Sequence, residues 1–307
     1  MAAKEEKDEL YDAKKDKISE SKYDLPADAG YCVEKTETRA KGRFKGKTII
    51  VTGGGGVFGS NCAKRFASEG ANVALFDIND EAGNKVAEDL TKKYSDVKVK
   101  FYSVNITKED VVNKAVEEVA KEFGRVDLLF NNAGYQGDFT KLPDYSVSDF
   151  RKVMEINVTG TFIVLKAVAN QMIKQEPQGG AIVQTASMAA HSGPPNMVAY
   201  GSSKAAVHHM TRIAAKDLAP YNIRVNGVSP AFIGPGFMWG RQIELQAKAG
   251  SVYYDKDPNV VKTQMIGATP LKRYGSVDEV IGPVAFLLSD DASYLTGVDI
   301  QITGGMN

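Results

Sequence analysis

From Lys47 onward, short apolar runs rich in β-branched and aromatic residues alternate with longer stretches whose apolar positions recur every three or four residues. The runs KTIIVT, NVALFD, VKFYSV, VDLLFN, AIVQTA, IRVNGV and DIQIT predict seven strands, and residues 59–69, 80–93, 108–122, 147–173, 199–218 and 277–288 predict the helices between them. Strand runs that are apolar almost throughout must be covered on both faces, which is the condition of a parallel sheet with crossover helices. The pattern predicts an α/β fold of Rossmann type: a doubly wound, seven-stranded parallel sheet with helices on both faces, in one domain over 46–307. Residues 234–265, rich in Gly, Met and aromatic side chains, fit no strand-helix alternation and follow the C-terminal end of a strand, the place of a substrate lid.

Residues 1–45 read differently. They hold eleven acidic and eleven basic side chains and few large aliphatics, too little apolar area to offset the entropy of ordering. A solvated, flexible extension is expected, with one fraying helix over 4–19. Over the whole chain Lys plus Arg (38) equals Asp plus Glu (38), so no global field recruits nucleic acid or an anionic membrane surface. No apolar run approaches the 18 or more residues of a membrane span, and the charged start MAAKEEKDEL is unlike a signal peptide. Two cysteines, Cys32 and Cys62, give neither a disulfide framework nor a zinc motif. A small-molecule substrate and a reducing, cytoplasmic setting are the expectation.

Candidate chemistry begins where the first strand runs into VTGGGGVFG. Gly54, Gly56 and Gly59 satisfy G-x-G-x-x-G at a strand-to-helix turn, which lets the helix N-terminus face a pyrophosphate. Asp77 closes the second strand, where a carboxylate accepts both adenosine-ribose hydroxyls and repels a 2′-phosphate; Ile78 follows, and the loop offers no Arg or Lys. NAD is therefore expected rather than NADP. Four Tyr-x-x-x-Lys pairs occur: Tyr11/Lys15, Tyr31/Lys35, Tyr94/Lys98 and Tyr200/Lys204. Only the last opens a long helix after an apolar strand, with Ser187 just beyond that strand's end.

Together the glycine turn, Asn131-Asn132-Ala133-Gly134, Asn157 in INVTG, Ser187, Tyr200/Lys204, the NGVSPA segment and the terminal TGVDIQITGG resemble the short-chain dehydrogenase/reductase family in order and spacing, from about Lys45 to the end. The resemblance implies a catalytic tetrad of Asn157, Ser187, Tyr200 and Lys204. In it Tyr200 exchanges the proton, Ser187 bonds the reacting oxygen, Lys204 holds the nicotinamide ribose, and Asn157 holds a water that leads protons out. A Lys ammonium about 4 Å from the phenol would stabilise a phenolate by roughly 4 kcal/mol, which would draw Tyr200 toward neutrality. The resemblance also implies cofactor contacts from Gly53, Gly55, Val57, Phe58, Gly59, Asp77, Ile78, Asn105, Ile106, Asn132, Ala133, Gly134, Pro230 and Ile233, beside Tyr200 and Lys204. The chain departs from the family pattern at Val57, in place of a glycine, at Asn105, where an Asp commonly meets adenine, at Ala231 after Pro230, and at Pro235, where a Thr often stands.

Within the family, NNAGYQG, TASMAAHSGPPNMVAYG, APYNIRVN and GPGFMWGRQIELQAK are most similar to NAD-dependent xylitol dehydrogenases. The resemblance implies a small neutral polyol or ketose as substrate, met by Gln136, Met188, His191, Asn196 and Trp239, and a homotetramer. Arg241 and Lys248 read as a solvated face of the lid. Two alternatives stay open: a 3-oxoacyl carrier-protein reductase, against which Asp77 argues, and a non-catalytic dinucleotide sensor, against which the filled tetrad argues. No metal is expected, because His208 and His209 point to different helix faces and no carboxylate shares the spacing of the histidines.

Overall fold

A computed structural model describes residues 42–306. The helix expected over 4–19 and the Tyr11/Lys15 and Tyr31/Lys35 pairs lie outside the described residues. The strands are β1 (Thr48–Thr52), β2 (Asn72–Asp77), β3 (Val99–Ser103), β4 (Leu128–Asn131), β5 (Gly180–Thr185), β6 (Ile223–Pro230) and β7 (Asp299–Ile302). All pair in parallel, in the order β3-β2-β1-β4-β5-β6-β7. The sequence reading thus holds for every strand. β1 sits where the winding reverses, so the loops after β1 and β4 diverge and leave a crevice at the strands' C-terminal ends.

The helices are α1 (Val57–Ser68), α2 (Asp80–Lys93), α3 (Glu109–Phe123), α4 (Val147–Met154), α5 (Thr161–Lys174), α6 (Ala189–Ser192), α7 (Val198–Leu218), α8 (Phe237–Lys248), α9 (Pro258–Ala268) and α10 (Val277–Leu288). Alternate residues of β1 enter opposite cores. Ile50 joins Val116 of α3, Val168 of α5 and Ala215 of α7, while Ile49 and Val51 join Phe66 of α1, Leu90 of α2 and Val284 of α10. This period-2 division is what two-sided coverage demands of a strand.

Three elements differ from the sequence reading. Phe44, only 2% exposed, stacks on Phe66 with ring centroids 4.4 Å apart, and Arg43 pairs with Asp291 at 2.6 Å. The packed domain therefore begins before residue 45. The helix expected over 147–173 is continuous but contains one π turn, Glu155–Gly160, between α4 and α5. By length and composition the whole segment Val147–Lys174 could cross a membrane, contrary to expectation, but more than half of its most apolar stretch is buried inside this fold. Its Ile163, Val164, Leu165 and Met172 face the core. Finally, 234–265 is regular: α8 and α9 form a helical pair with its own small core of Trp239, Ile243, Val261 and Met265, flanked by Phe232 and Tyr274.

Candidate active site

A cleft of about 840 Å³ opens at the C-terminal ends of the strands. At its floor the backbone of Gly53 adopts φ 68°, a left-handed conformation that favours glycine, and turns the chain from β1 toward α1. A Cβ on Gly59 would stand 2.0 Å from the carbonyl oxygen of Gly53, so only glycine lets α1 start this close to the loop. Gly59 itself does not line the cleft and packs against Gly53. The N-cap of α1, Gly56, supplies no side-chain cap, and the first turn carries no acidic residue. Its N–H groups and the positive end of its dipole are left to an external anion, which fits a pyrophosphate. Gly53, Gly55, Val57, Phe58, Asp77, Ile78, Asn105, Ile106, Asn132, Ala133, Gly134, Pro230 and Ile233 all line the cleft, as expected.

Asp77 is fixed by two backbone donors: Gly55 N–H to Oδ2 at 2.9 Å and Asn79 N–H to Oδ1 at 2.9 Å. The basic residues lining the cleft are Lys204, which donates to Thr185 O after β5, and Arg241, which donates to Gly137 O beyond β4. Thr185 lies three strands from Asp77, about 14 Å at the usual strand spacing. The cleft wall thus offers a carboxylate and no cation at the β2 end, which suits a free ribose and not a 2′-phosphate. Asn132 ties the floor together: its N–H donates to Thr52 Oγ1 on β1 at 2.8 Å, and its Oδ1 accepts from Thr185 Oγ1 at 3.3 Å.

At the other end Tyr200 and Lys204 project from the first turns of α7, one turn apart, and Ser187 sits two residues beyond β5. The Tyr200 hydroxyl bonds to Ser187. Burial pushes the Tyr200 phenol above its ordinary value, and the Ser187 bond offsets part of that rise. Lys204 lies beside the Tyr200 ring and is anchored to the end of β5. Its Nζ donates to Thr185 O at 2.7 Å and lies 5.8 Å from the Tyr200 ring centroid, and burial lowers its pKa to about 8.

Asn157 stands within the π turn and is fully buried. Its Oδ1 accepts from Tyr135 N–H at 2.7 Å, and its Nδ2 donates to Tyr135 O at 2.8 Å and to Ser203 Oγ at 2.9 Å. These bonds make the amide an anchor between the loop after β4 and α7. The extra residue of a π turn re-aims the side chains around it, and here it turns an amide inward.

Of the expected substrate residues, Gln136, Met188 and Trp239 line the cleft. His191 does not: its Nε2 turns to Ser229 Oγ and Asp299 Oδ2, each at 3.2 Å. Asn196, at φ 68°, is likewise drawn off, donating from Nδ2 to Gln246 Oε1 at 2.9 Å and tying the loop before α7 to α8. Arg241 reverses its reading. It is 7% exposed, lines the cleft, and donates from Nη1 to Gly137 O at 2.9 Å and Gln136 Oε1 at 3.4 Å, while Lys248 is exposed. Helical spacing joins Trp239, Ile243 and Gln246 on one buried face but sets Arg241 on another side of α8, so no spacing in the sequence marks it. The carboxylate missing from the histidines' sequence neighbourhood comes from β7: Asp299 meets His191 and His208.

A family model described as Enoyl-(Acyl carrier protein) reductase matches residues 56–307. The chain is similar to a crystal structure of NAD+-bound xylitol dehydrogenase, with 53% identity and a TM-score of 0.83, over 85% of this chain and 99% of that one. It is also 35% identical to the 3-oxoacyl-(acyl-carrier-protein) reductase of Aquifex aeolicus (86% of this chain, 98% of that protein) and 32% identical to levodione reductase of Leifsonia aquatica (86% and 96%). With the glycine turn, the Asn-Ala-Gly loop, Ser187 and the Tyr200/Lys204 pair set around one cleft, these likenesses show that the chain belongs to the short-chain dehydrogenase/reductase family of oxidoreductases.

Proposed function

We propose that the protein is an NAD-dependent dehydrogenase interconverting a small neutral polyol and its ketose, with xylitol and D-xylulose as the leading pair. The observation that carries this reading is the 53% identity to NAD+-bound xylitol dehydrogenase over 85% of the chain. The cleft supports it. Near Tyr200 its wall offers Gln136, Arg241 and Gln242, polar partners suited to several hydroxyls, because each buried hydroxyl left unpaired costs about 1–3 kcal/mol. Asp77 and the uncapped start of α1 support NAD.

Held along the cleft by the glycine turn and Asp77, the nicotinamide cofactor would supply a hydride acceptor for alcohol oxidation as NAD and a hydride donor for carbonyl reduction as NADH. As the phenolate, Tyr200 takes the hydroxyl proton when the alcohol becomes a carbonyl, and as the phenol it gives a proton to the carbonyl oxygen in the reverse direction. Ser187, already bonded to Tyr200, shares the reacting oxygen and holds it beside the phenol. Lys204 and Asn157 act as positioning residues, one on the C-terminal end of β5 and the other on Tyr135. The α8–α9 pair forms the lid that excludes water from this end.

The test is a panel of five- and six-carbon polyols and ketoses, with acyl thioesters as competitors, each assayed with NAD(H) and NADP(H). Turnover of xylitol or a related polyol with NAD, at least tenfold above NADP, is expected. Preference for acyl thioesters, or for NADP, would overturn the reading in favour of a carrier-protein reductase.

A further inference from the structure

Away from the cleft, three side chains far apart in sequence converge beneath α6. His191 comes from α6, His208 from one turn beyond Lys204 on α7, and Asp299 from the first position of the edge strand β7. One ligating atom of each lies within 4.8 Å of the others, and none of the three lines the cleft. The two imidazole rings meet edge to face with centroids 4.6 Å apart. The carboxylate is well sheltered, its side chain 7% exposed, with Ser229 Oγ donating to Oδ1 at 3.0 Å and His191 Nε2 at 3.2 Å from Oδ2. Gly227, opposite Asp299 on β6, makes the room: a Cβ there would stand 2.8 Å from Asp299 Oδ1.

The second observation concerns His208, whose Nε2 is buried without any hydrogen-bond partner. A buried imidazole nitrogen without a partner costs free energy unless something completes it. A shielded carboxylate facing two histidines is a charge that a cation completes better than one neutral imidazole does. We propose that His191, His208 and Asp299 form a structural binding site for a divalent transition ion of the zinc class, fastening α6 to α7 and β7. Two imidazoles and a carboxylate are borderline nitrogen and hard oxygen donors, a set that suits zinc, with water filling the fourth position on the side where His191 is 23% exposed. A tetrahedral ion with bonds of about 2.0–2.1 Å separates its ligand atoms by about 3.4 Å. The His191–Asp299 distance of 3.2 Å already matches, and His208 offers a ring nitrogen within 4.8 Å of both.

The ion would act through order, not chemistry. α6 follows Ser187 directly, and its neighbours Met188, Ala189 and Ser192 line the cleft, so a clamp on its outer side fixes one wall of the site. The proposal stands apart from the substrate assignment and is tested without turnover. Chelator-treated full-length protein is titrated with Zn²⁺ by calorimetry, and with Co²⁺ by visible absorption. One tight equivalent per chain is expected, with a tetrahedral Co²⁺ spectrum and a melting temperature raised by saturating zinc. His191→Gln, on the exposed side, and Asp299→Asn should each weaken binding at least tenfold. His209→Gln, next in sequence but outside the cluster, should leave it unchanged. Absence of a tight equivalent would overturn the proposal. So would binding that survives in the His191→Gln protein, which keeps the fold even if the Asp299 variant does not.

Discussion

Tyr200 holds its proton tightly in this structure, since burial raises the phenol and the Ser187 bond only partly offsets it. The protonated phenol is the form that donates to a carbonyl oxygen, whereas alcohol oxidation draws on the phenolate, which burial disfavours. Tyr200→Phe should lower kcat by about 10²- to 10⁴-fold, the usual share of general acid–base catalysis, while the Kd for NAD changes by less than about threefold. Rapid-mixing kinetics beside equilibrium titration separate the two; retention of a tenth of the activity would exclude the role. Tyr200, Lys204 and Ser187 were legible in the sequence because a helix fixes the four-residue spacing and a strand end fixes the serine. His191, Asn196 and Arg241 were not, because each lies where the next contact decides its direction. The first turns toward Asp299, the second toward Gln246, and the third is buried only because α8 folds against the loop after β4.

Among the elements, α10 shows how a short motif sets a boundary. Ser276 caps the helix and accepts from Glu279 N–H, Glu279 returns a carboxylate to Ser276 N–H at 2.7 Å, and Arg273 pairs with both of its oxygens at 2.7 and 2.8 Å. The Arg273 bonds, with the cap donors, hold the Glu279 carboxyl well below the usual range, at about 2. Because that value lies below the ordinary 4.5, the pairing stabilises fully above about 4.5 and is lost as the pH falls toward about 2. Glu279→Gln should lower the melting temperature by about 2 °C near neutral pH, and the gap between variant and parent should close by about pH 2. A gap that widened with acid would exclude this account. The boundaries of α2 and α10 were readable from such caps and from apolar spacing. The π turn was not, since one extra residue inside an apolar helix barely alters its periodicity, and α8 and α9 were missed because their apolar residues face a small core of their own rather than the sheet.

At the scale of the whole molecule, the sheet ends on an exposed edge strand, β7, and α5 and α7 carry outward-facing Phe162 and Ile213, 48% and 51% exposed. Large apolar side chains on two helices of one layer are a surface suited to a second copy. A homotetramer is proposed, and light scattering should give four times the chain mass of 33.2 kDa. A monomer at micromolar concentration would exclude it. The helical pair α8–α9 has a further consequence. Because Trp239, Ile243, Val261 and Met265 assemble a core within the pair itself, its residues are ordered when the chain folds and not anew at each encounter with substrate. A disordered flap of the same length would subtract its ordering entropy from every binding event. Here the wall that carries Arg241 packs on its own core, so that entropy is lost once, in folding, and does not weaken each encounter with substrate.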